Sequence, residues 1–201
     1  MGLRAISVCT GSGIGDLAFK AIGFARTVCY IEIASYSQRL IQQRIKDGWL
    51  DDAPLFDDLR TFDGRPWCGC VDLVFGGIPC QGFSVAGKRL GEKDPRNLWP
   101  DFLRVVREVG PRVVLLENVR GLLSAKKAKW VPVKPWGKDY PEVSEWWRPA
   151  QPSYFGTILG DLSEAGFDVE WTLLGADDVS APHRRKRVWV VAYSDSRGLS
   201  G

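Results

Sequence analysis

Residues 71–87 read VDLVFGGIPCQGFSVAG, and this stretch sets the organisation of the chain. The apolar run at 71–75 is typical of a buried strand, and the two glycines after it predict that the strand ends there. Pro79 stiffens the following turn, so we expect Cys80 in a loop at the strand exit. Because ligand crevices lie at the carboxyl ends of parallel strands, a thiol held there can reach a substrate. The alternative is a buried, inert cysteine.

The composition narrows the class of protein. A chain of 201 residues with a formal net charge of +3 suits one α/β domain, and this charge permits a nucleic-acid partner without requiring one. The spacing of the five cysteines shows no disulfide ladder, which indicates a reducing compartment. With His183 as the single histidine, we expect no metal site. Neither a signal peptide nor a bilayer-spanning run is present, so we expect a cytoplasmic protein with no membrane partner.

The N-terminal segment has the pattern of a cofactor-binding unit. Residues 5–9 predict a first strand, a glycine-rich turn carries Gly11, Gly13 and Gly15, and residues 17–22 predict an amphipathic helix. Glycines let the backbone approach a cofactor closely, and a helix start offers free N–H groups. The pattern therefore indicates a nucleotide-like cofactor, although a plain strand-to-helix turn has the same appearance.

Two acidic positions follow this unit. Residues 27–31 predict a second strand that ends at Glu32, about 20 residues after the glycines, where a carboxylate can accept hydrogen bonds from ribose hydroxyls. A helix is predicted over 35–46. Asp58 precedes the next apolar strand region and could reach an adenine amino group, or it is a solvated turn residue.

The second half of the chain continues the alternation of helices and strands. Residues 98–109 predict a helix and residues 113–116 a buried strand, with Glu117 at its exit. Burying a carboxylate there costs free energy unless it is paired with another group or takes part in the function. The alternative role of Glu117 is to brace a neighbouring loop. A helix is predicted over 154–165, and strands over 169–174 and 188–192 are predicted to form a hairpin.

Basic residues mark two segments. Strand alternation predicts Arg185 and Arg187 on one face, where two guanidinium groups suit a phosphate or a carbonyl-rich base edge. A solvated basic edge strand is the alternative. Residues 125–150 interleave lysines with tryptophans, and their prolines are predicted to break any regular element. This insertion could track a phosphate backbone and stack on bases, or pack onto its own domain.

These observations converge on one architecture. We predict a single α/β domain over residues 1–201 with a Rossmann-like fold, in which a mixed, mostly parallel sheet is flanked by helices. Such a sheet brings the glycine turn, Glu32, the Cys80 loop and Glu117 to the same edge. A thiol, a carboxyl group and two arginines facing a nucleotide-type cofactor fit addition of a thiolate to an electron-poor ring.

The chain resembles the DNA cytosine-5 methyltransferases. Order and spacing agree from about residue 5 to residue 193. The matching pieces are Gly13-Ile14-Gly15, Glu32, Pro79-Cys80-Gln81 with Phe83-Ser84, Glu117-Asn118-Val119 and Arg185-Lys186-Arg187. The resemblance implies an S-adenosylmethionine-dependent methyltransferase acting on double-stranded DNA, of the kind found in restriction–modification systems.

The resemblance also implies roles for individual residues. Cys80 would attack C6 of a flipped-out cytosine, Glu117 would hold N3 and the exocyclic amine, and Arg187, with Arg185 in support, would hold the base O2 or a nearby phosphate. The methyl group would then pass to C5. The residues that would line the cofactor site are Gly11, Gly13, Gly15, Glu32, Asp58, Pro79 and Leu98.

The chain departs from the family pattern in several places. The family's adenine-stacking aromatic residue is expected at the position of Gly11, and a further glycine where Asp16 stands. The resemblance covers only the catalytic half of the family, without a target-recognition region. We therefore expect a catalytic portion that is inactive alone or works with a second polypeptide. A non-catalytic cofactor- or DNA-binding remnant and a nicotinamide-dependent oxidoreductase are the alternatives.

Overall fold

The computed structural model describes residues 2–79, 97–124, 130–133, 146–149 and 153–194. Cys80 and the charged segment 88–96 lie outside the described residues. The same holds for most of the insertion at 125–150.

The first half of the chain alternates parallel strands with helices, as predicted. Its elements are β1 (Leu3–Val8), α1 (Ile14–Ala21), β2 (Ala25–Ile31), α2 (Ser35–Lys46) and β3 (Leu55–Phe56). Helix α1 starts three residues before its predicted beginning, because Gly13 takes a left-handed conformation (φ 73°) that caps the helix at this point. Strand β3 is only two residues long and pairs with the end of β2, and the sequence pattern did not reveal it.

The second half adds strands on the other side of β1. Its elements are β4 (Leu73–Gly76), α3 (Trp99–Val109), β5 (Val113–Val119), β6 (Trp130–Val133), β7 (Trp146–Pro149), α4 (Tyr154–Glu164), β8 (Phe167–Leu174) and β9 (Arg187–Ser194). The predicted hairpin of the last two strands is confirmed, since β8 and β9 pair in antiparallel register.

One seven-stranded sheet carries the fold, in the order β3-β2-β1-β4-β5-β9-β8. All pairs from β3 to β5 are parallel, whereas β9 runs antiparallel to β5 and β8. This mixed, mostly parallel sheet with flanking helices confirms the predicted Rossmann-like α/β class. The strand order reverses between β1 and β4, which places the expected ligand crevice at the carboxyl ends of these two strands.

The insertion contains a regular element, contrary to the prediction. Strands β6 and β7 form a separate antiparallel pair, in which Pro132 lies opposite Trp147 and Pro149 opposite Trp130. A two-stranded ribbon consists of edge strands only, and proline is tolerated at an edge because the missing N–H can face away from the partner strand. The prolines therefore do not prevent strand formation here.

The two faces of the sheet are buried to different extents. Helices α3 and α4 cover one face, where Phe102, Val106, Ile158 and Leu162 pack with the alternate residues of β4, β5 and β9. On the α1 side, two smaller buried clusters are present among the described residues: Ala5, Ala25, Leu73 and Phe75, and Tyr30, Ile41 and Leu50. Neither cluster extends past β5 in the described part of the chain, so Trp189 of β9 is half-buried and the α1-facing residues of β8 are exposed.

None of the helices in the described part of the chain has the length and apolar character needed to span a membrane.

Candidate active site

The glycine turn between β1 and α1 is bent by three left-handed residues. Cys9, Gly11 and Gly13 have φ values of 52°, 58° and 73°. A side chain at Gly13 would be strained by this backbone and would also meet Leu50, whose Cδ1 lies 2.8 Å from the position of a Cβ. Gly13 therefore shapes the turn, whereas Gly11 and Gly15 line the cavity above it.

Glu32 holds this turn from the end of β2. Its carboxylate accepts hydrogen bonds from the backbone N–H of Gly11 at 2.7 Å and of Ala34 at 2.8 Å, and the residue is only 8% exposed. A carboxylate has about four acceptor positions, so two remain for a ligand hydroxyl. Glu32 thus braces the glycine turn and retains free acceptor positions for the predicted hydrogen bonds from ribose hydroxyls.

A buried carboxyl group lies under the same turn. Asp16 is 3% exposed and accepts hydrogen bonds from the hydroxyls of Thr27 at 2.7 Å and Ser7 at 3.1 Å. Burial raises the pKa of Asp16 to about 6, although both hydrogen bonds oppose the shift. The sequence analysis treated Asp16 only as a departure from a glycine. Asp16 lies in the first turn of α1, beneath the glycine turn, and the sequence pattern did not indicate this buried position.

Two cavities adjoin at Cys9. The first, which we call the glycine-turn cavity, has a volume of about 480 Å³ and is bordered by the glycine turn, the end of β4, Glu117, Arg185 and Trp189. The second, the side cavity, has a volume of about 190 Å³. It brings together three predicted cofactor residues, Asp58, Pro79 and Leu98, with Cys9, Ile31, Ile33, Leu59 and Arg60.

Cys9 lies at the junction of the two cavities. Gly11 borders only the glycine-turn cavity, whereas Cys9 borders both. Burial and the nearby charge of Glu32 raise the pKa of the Cys9 thiol to about 12. A thiol with this pKa stays protonated at neutral pH, so Cys9 is a wall of the site and not a nucleophile.

The base of the Cys80 loop is fixed beside β5. Cys80 itself lies outside the described residues, which end at Pro79 on this side. The buried Asn118 donates from Nδ2 to the carbonyl of Ile78 at 3.3 Å, and its Oδ1 accepts from the N–H of Val119 at 2.8 Å. At Gly77, a Cβ would lie 3.0 Å from Oε2 of Glu117, so the chain passes directly against this carboxylate.

Glu117 lies inside β5 and not at its exit, which corrects the prediction. Pairing with parallel β4 ends at Leu116, but the antiparallel β9 continues the ladder, with Glu117 opposite Trp189 and Val119 opposite Arg187. The Glu117 side chain therefore projects at the point where β4 has already turned away. This geometry opens the space beside it that the glycine-turn cavity occupies.

Glu117 forms an ion pair with Arg187. Arg187 Nε lies 2.7 Å from Glu117 Oε1, and the two side chains are 21% and 30% exposed. Arg187 is the first residue of β9, whereas Arg185 precedes the strand, so strand alternation does not set its direction. Arg185 is exposed and still borders the glycine-turn cavity.

A larger groove adjoins the side cavity at Asp58. It has a volume of about 670 Å³ and is lined by aromatic residues and carboxylates that include Phe62, Trp67 and Asp63. It contains neither the glycine turn nor Glu117, and Asp63 is engaged by Arg65 at 2.8 Å. The predicted chemistry therefore belongs to the two cavities at Cys9.

Comparison with known proteins identifies a family. The sequence model described as C-5 cytosine-specific DNA methylase matches residues 3–200. The type II methyltransferase M.NgoMIV of Neisseria gonorrhoeae is 31% identical over 195 residues, which are 97% of this chain and 53% of that protein. M.AquIA of a Picosynechococcus strain is 30% identical over 206 residues, which are 94% of this chain and 71% of that protein.

Solved structures agree on the fold. The DNMT2 mutant of Spodoptera frugiperda superposes with a TM-score of 0.69 at 18% identity, over all of this chain and 52% of that one. The S. pombe Dnmt2 methyltransferase gives a TM-score of 0.67 at 20% identity, over 98% and 52%. The chain thus spans about half the length of these structures and of M.NgoMIV.

Proposed function

Because the chain belongs to the C-5 cytosine-specific DNA methylase family, we propose that it is the catalytic portion of a DNA cytosine-5 methyltransferase. The observation that carries this proposal is the position of the Glu117–Arg187 pair, which lies against Gly77, three residues before Cys80. A thiol on this loop and the carboxylate of Glu117 can then contact the same pyrimidine.

The two cavities have the right chemistry for S-adenosylmethionine, which supplies the methyl group when it is bound. Together they fall within the usual size range of ligand sites, roughly 300–1,000 Å³. The free acceptor positions of Glu32 suit ribose hydroxyls. The side cavity offers apolar walls from Ile33 and Leu98 to a flat base, with Asp58 at its border to accept from an amino group.

Cys80 is proposed to act as the nucleophile. Its thiolate would add to C6 of a cytosine flipped out of the duplex, so that electron density moves toward C5. A free thiol has a pKa of about 8.5, and the nearby guanidinium groups would increase the thiolate fraction at neutral pH. After the methyl group has reached C5, loss of the C5 proton would re-form the double bond and expel Cys80.

Glu117 and Arg187 are proposed to orient and stabilise the base. The carboxyl group of Glu117 is 30% exposed on the cavity side, so it can bind the N3 and exocyclic amine edge while Arg187 holds it. Arg187 would also neutralise charge that develops on the base O2. Charged groups fixed before the reaction lower its barrier, because they do not have to reorganise during it.

We infer that target selection on double-stranded DNA requires a further part, such as a second polypeptide. The α1 side of β9 and β8, which has no buried cluster among the described residues, supports this inference. Activity assays should therefore include the neighbouring gene product as well as the chain by itself.

A covalent trap tests the proposal. DNA that contains 5-fluorocytosine should form a denaturation-resistant adduct with the chain in the presence of S-adenosylmethionine, because the C5 fluorine cannot leave as a proton does. Cys80→Ser should abolish both the adduct and methyl transfer, whereas Cys68→Ser, at an exposed thiol outside the two cavities, should retain both. Absence of an adduct even with the partner present would identify a non-catalytic remnant.

A further inference from the structure

A cationic cleft lies beside the proposed active site. It has a volume of about 530 Å³ and is lined by Arg120, Arg184, Arg185 and Lys186, with Asp177 as the one carboxylate. All five residues are exposed. Arg120 directly follows β5, and the other three cations directly precede β9, so the two strands that hold Glu117 and Arg187 also position this cleft.

The cations of the cleft are unpaired among the described residues. Other arginines of the protein have carboxylate partners, such as Arg4 with Asp72 at 3.0 Å and Arg104 with Glu108 at 3.0 Å. Within the described ranges, the four cleft cations form no ion pair with a carboxylate within 4.0 Å. Four like charges around one open space repel each other unless an anion lies between them.

The backbone fixes the cleft in position. Asp178 accepts a hydrogen bond from the N–H of Gly175 at 2.7 Å, which closes the turn after β8. A Cβ at Gly175 would lie 3.0 Å from the carbonyl oxygen of Arg184 and would clash with the Asp177 carboxylate. This turn therefore packs against the basic segment and holds Arg184 and Asp177 at the same opening.

Arg185 connects the cleft to the active site, because it borders both the cleft and the glycine-turn cavity with Glu117. We propose that the cleft binds the phosphodiester backbone of the substrate DNA next to the flipped cytosine, with Arg120, Arg184 and Lys186 as phosphate ligands. This inference rests on the proposed function. It also assigns different ligands to the two arginines: Arg187 binds the base, and Arg185 binds the phosphate beside it.

The salt dependence of DNA binding tests the proposal. We would measure the affinity of the full chain for a fluorescent DNA duplex with one mismatched cytosine, over a series of NaCl concentrations. Each neutralised phosphate adds about 0.9 to the slope of log affinity against log salt. The triple variant Arg120→Gln/Arg184→Gln/Lys186→Gln should lose about 2.7 of this slope, and Lys186→Gln alone about 0.9.

Matched variants control for net charge and folding. Arg39→Gln/Arg107→Gln/Lys46→Gln removes the same charges from exposed positions on α2 and α3, and it should keep the wild-type slope. Arg120→Lys/Arg184→Lys should also keep it, because a phosphate contact is mainly a charge effect. Calorimetric S-adenosylmethionine binding should be the same in all variants.

An unchanged slope in the triple variant would overturn the proposal, and so would an equal loss of slope in the α2 and α3 control. Absence of DNA binding by the wild-type chain at low salt would overturn it as well. Methyl transfer does not enter this measurement. If the chain binds DNA through the cleft but forms no adduct with 5-fluorocytosine, the proposed catalysis is refuted and the proposed phosphate site is still supported.

Discussion

At the scale of single residues, the carboxylates near β1 perform different tasks because their hydrogen-bond donors differ. Glu32 accepts two backbone N–H groups and braces the glycine turn from the end of β2. Asp16 accepts hydrogen bonds from two hydroxyl groups and is buried beneath the turn. Backbone N–H groups favour the charged form of an acid strongly, whereas burial favours the neutral form.

Glu32→Ala should weaken cofactor binding. The substitution removes the acceptors of Gly11 N–H and Ala34 N–H as well as those proposed for ribose, and hydrogen bonds to charged groups contribute about 1.5–3 kcal/mol each. Calorimetry with S-adenosylmethionine should show at least a roughly ten-fold loss of affinity. Glu32→Gln should also bind weakly, because its amide offers one acceptor oxygen where two N–H groups need partners. Equal affinities would refute the role of Glu32.

Asp16 should make the stability of the protein depend on pH. Its pKa is about 6 in the folded state and about 4 in the unfolded chain, so only the folded state keeps the proton between these values. Stability is therefore lost as pH rises from about 4 to about 6, by roughly 2–3 kcal/mol at full ionisation. The neighbouring Asp51 acts in the same direction, since its charge disfavours ionisation of Asp16.

The measurement compares wild type with Asp16→Asn by urea denaturation across this pH range. The variant should gain stability relative to wild type as pH rises, because Asn cannot ionise. Asp63→Asn serves as the control: Arg65 lowers the pKa of the exposed Asp63, so its titration lies below this range and its curve should run parallel to that of wild type. Parallel curves for wild type and Asp16→Asn would show that Asp16 does not titrate in this range.

At the scale of the elements, a side-chain hydrogen bond joins the two helices that cover one face of the sheet. Trp99 at the start of α3 donates from Nε1 to Oδ2 of Asp161 in α4 at 2.6 Å, and Trp99 is only 3% exposed. The bond connects two segments separated by the whole insertion. It therefore links the start of α3 directly to α4.

Trp99→Phe should destabilise the protein by about 1–3 kcal/mol, because it keeps an aromatic ring in the core and leaves the Asp161 carboxylate without this donor. Chemical denaturation would measure the loss. Trp49→Phe, at a tryptophan that is 61% exposed, is the matched control and should change stability by less than about 0.5 kcal/mol. Similar losses in both variants would mean that the hydrogen bond contributes nothing specific.

The elements also show what the sequence could predict. Helix α2 is found at its predicted residues 35–46, and the strands around the site were placed within a few residues, because their apolar patterns are long or sharply bounded. Strand β3 was not predicted because two residues are too few to show a hydrophobic periodicity. The continuation of β5 through Glu117 was not predicted, because it depends on pairing with β9, about 70 residues later in the chain. Non-local pairing of this kind has no local sequence signal.

The candidate site likewise combines features that the sequence indicated with features that only the folded structure reveals. Asp58, Pro79 and Leu98, which the resemblance implies as cofactor residues, border one cavity. That Cys9 borders this cavity as well depends on the left-handed bend at Cys9, which the sequence did not indicate. The ion pair between Glu117 and Arg187 was likewise invisible, although both residues were predicted for the site.

At the scale of the whole molecule, the sheet order alone does not determine which cofactor binds. A Rossmann-like sheet with a glycine turn after β1 serves nicotinamide and S-adenosylmethionine enzymes alike, so fold is weak evidence for chemistry. Here the two joined cavities, the loop base at Gly77 and the family match all favour S-adenosylmethionine. A linkage measurement on the intact chain can distinguish the two cofactor classes without relying on methyl transfer.

A ligand that binds only the folded state raises the free energy of unfolding in proportion to the logarithm of its concentration over Kd. S-adenosylhomocysteine, the demethylated product, should therefore stabilise the chain by about 2.7 kcal/mol at a concentration of one hundred times its Kd. NAD at the same concentration should leave thermal unfolding unchanged. Glu32→Ala should need a proportionally higher S-adenosylhomocysteine concentration for the same shift, which ties the effect to the glycine turn that Glu32 braces. Stabilisation by NAD instead would mean that the crevice between β1 and β4 binds a dinucleotide, and the Cys80 loop would then require a different explanation.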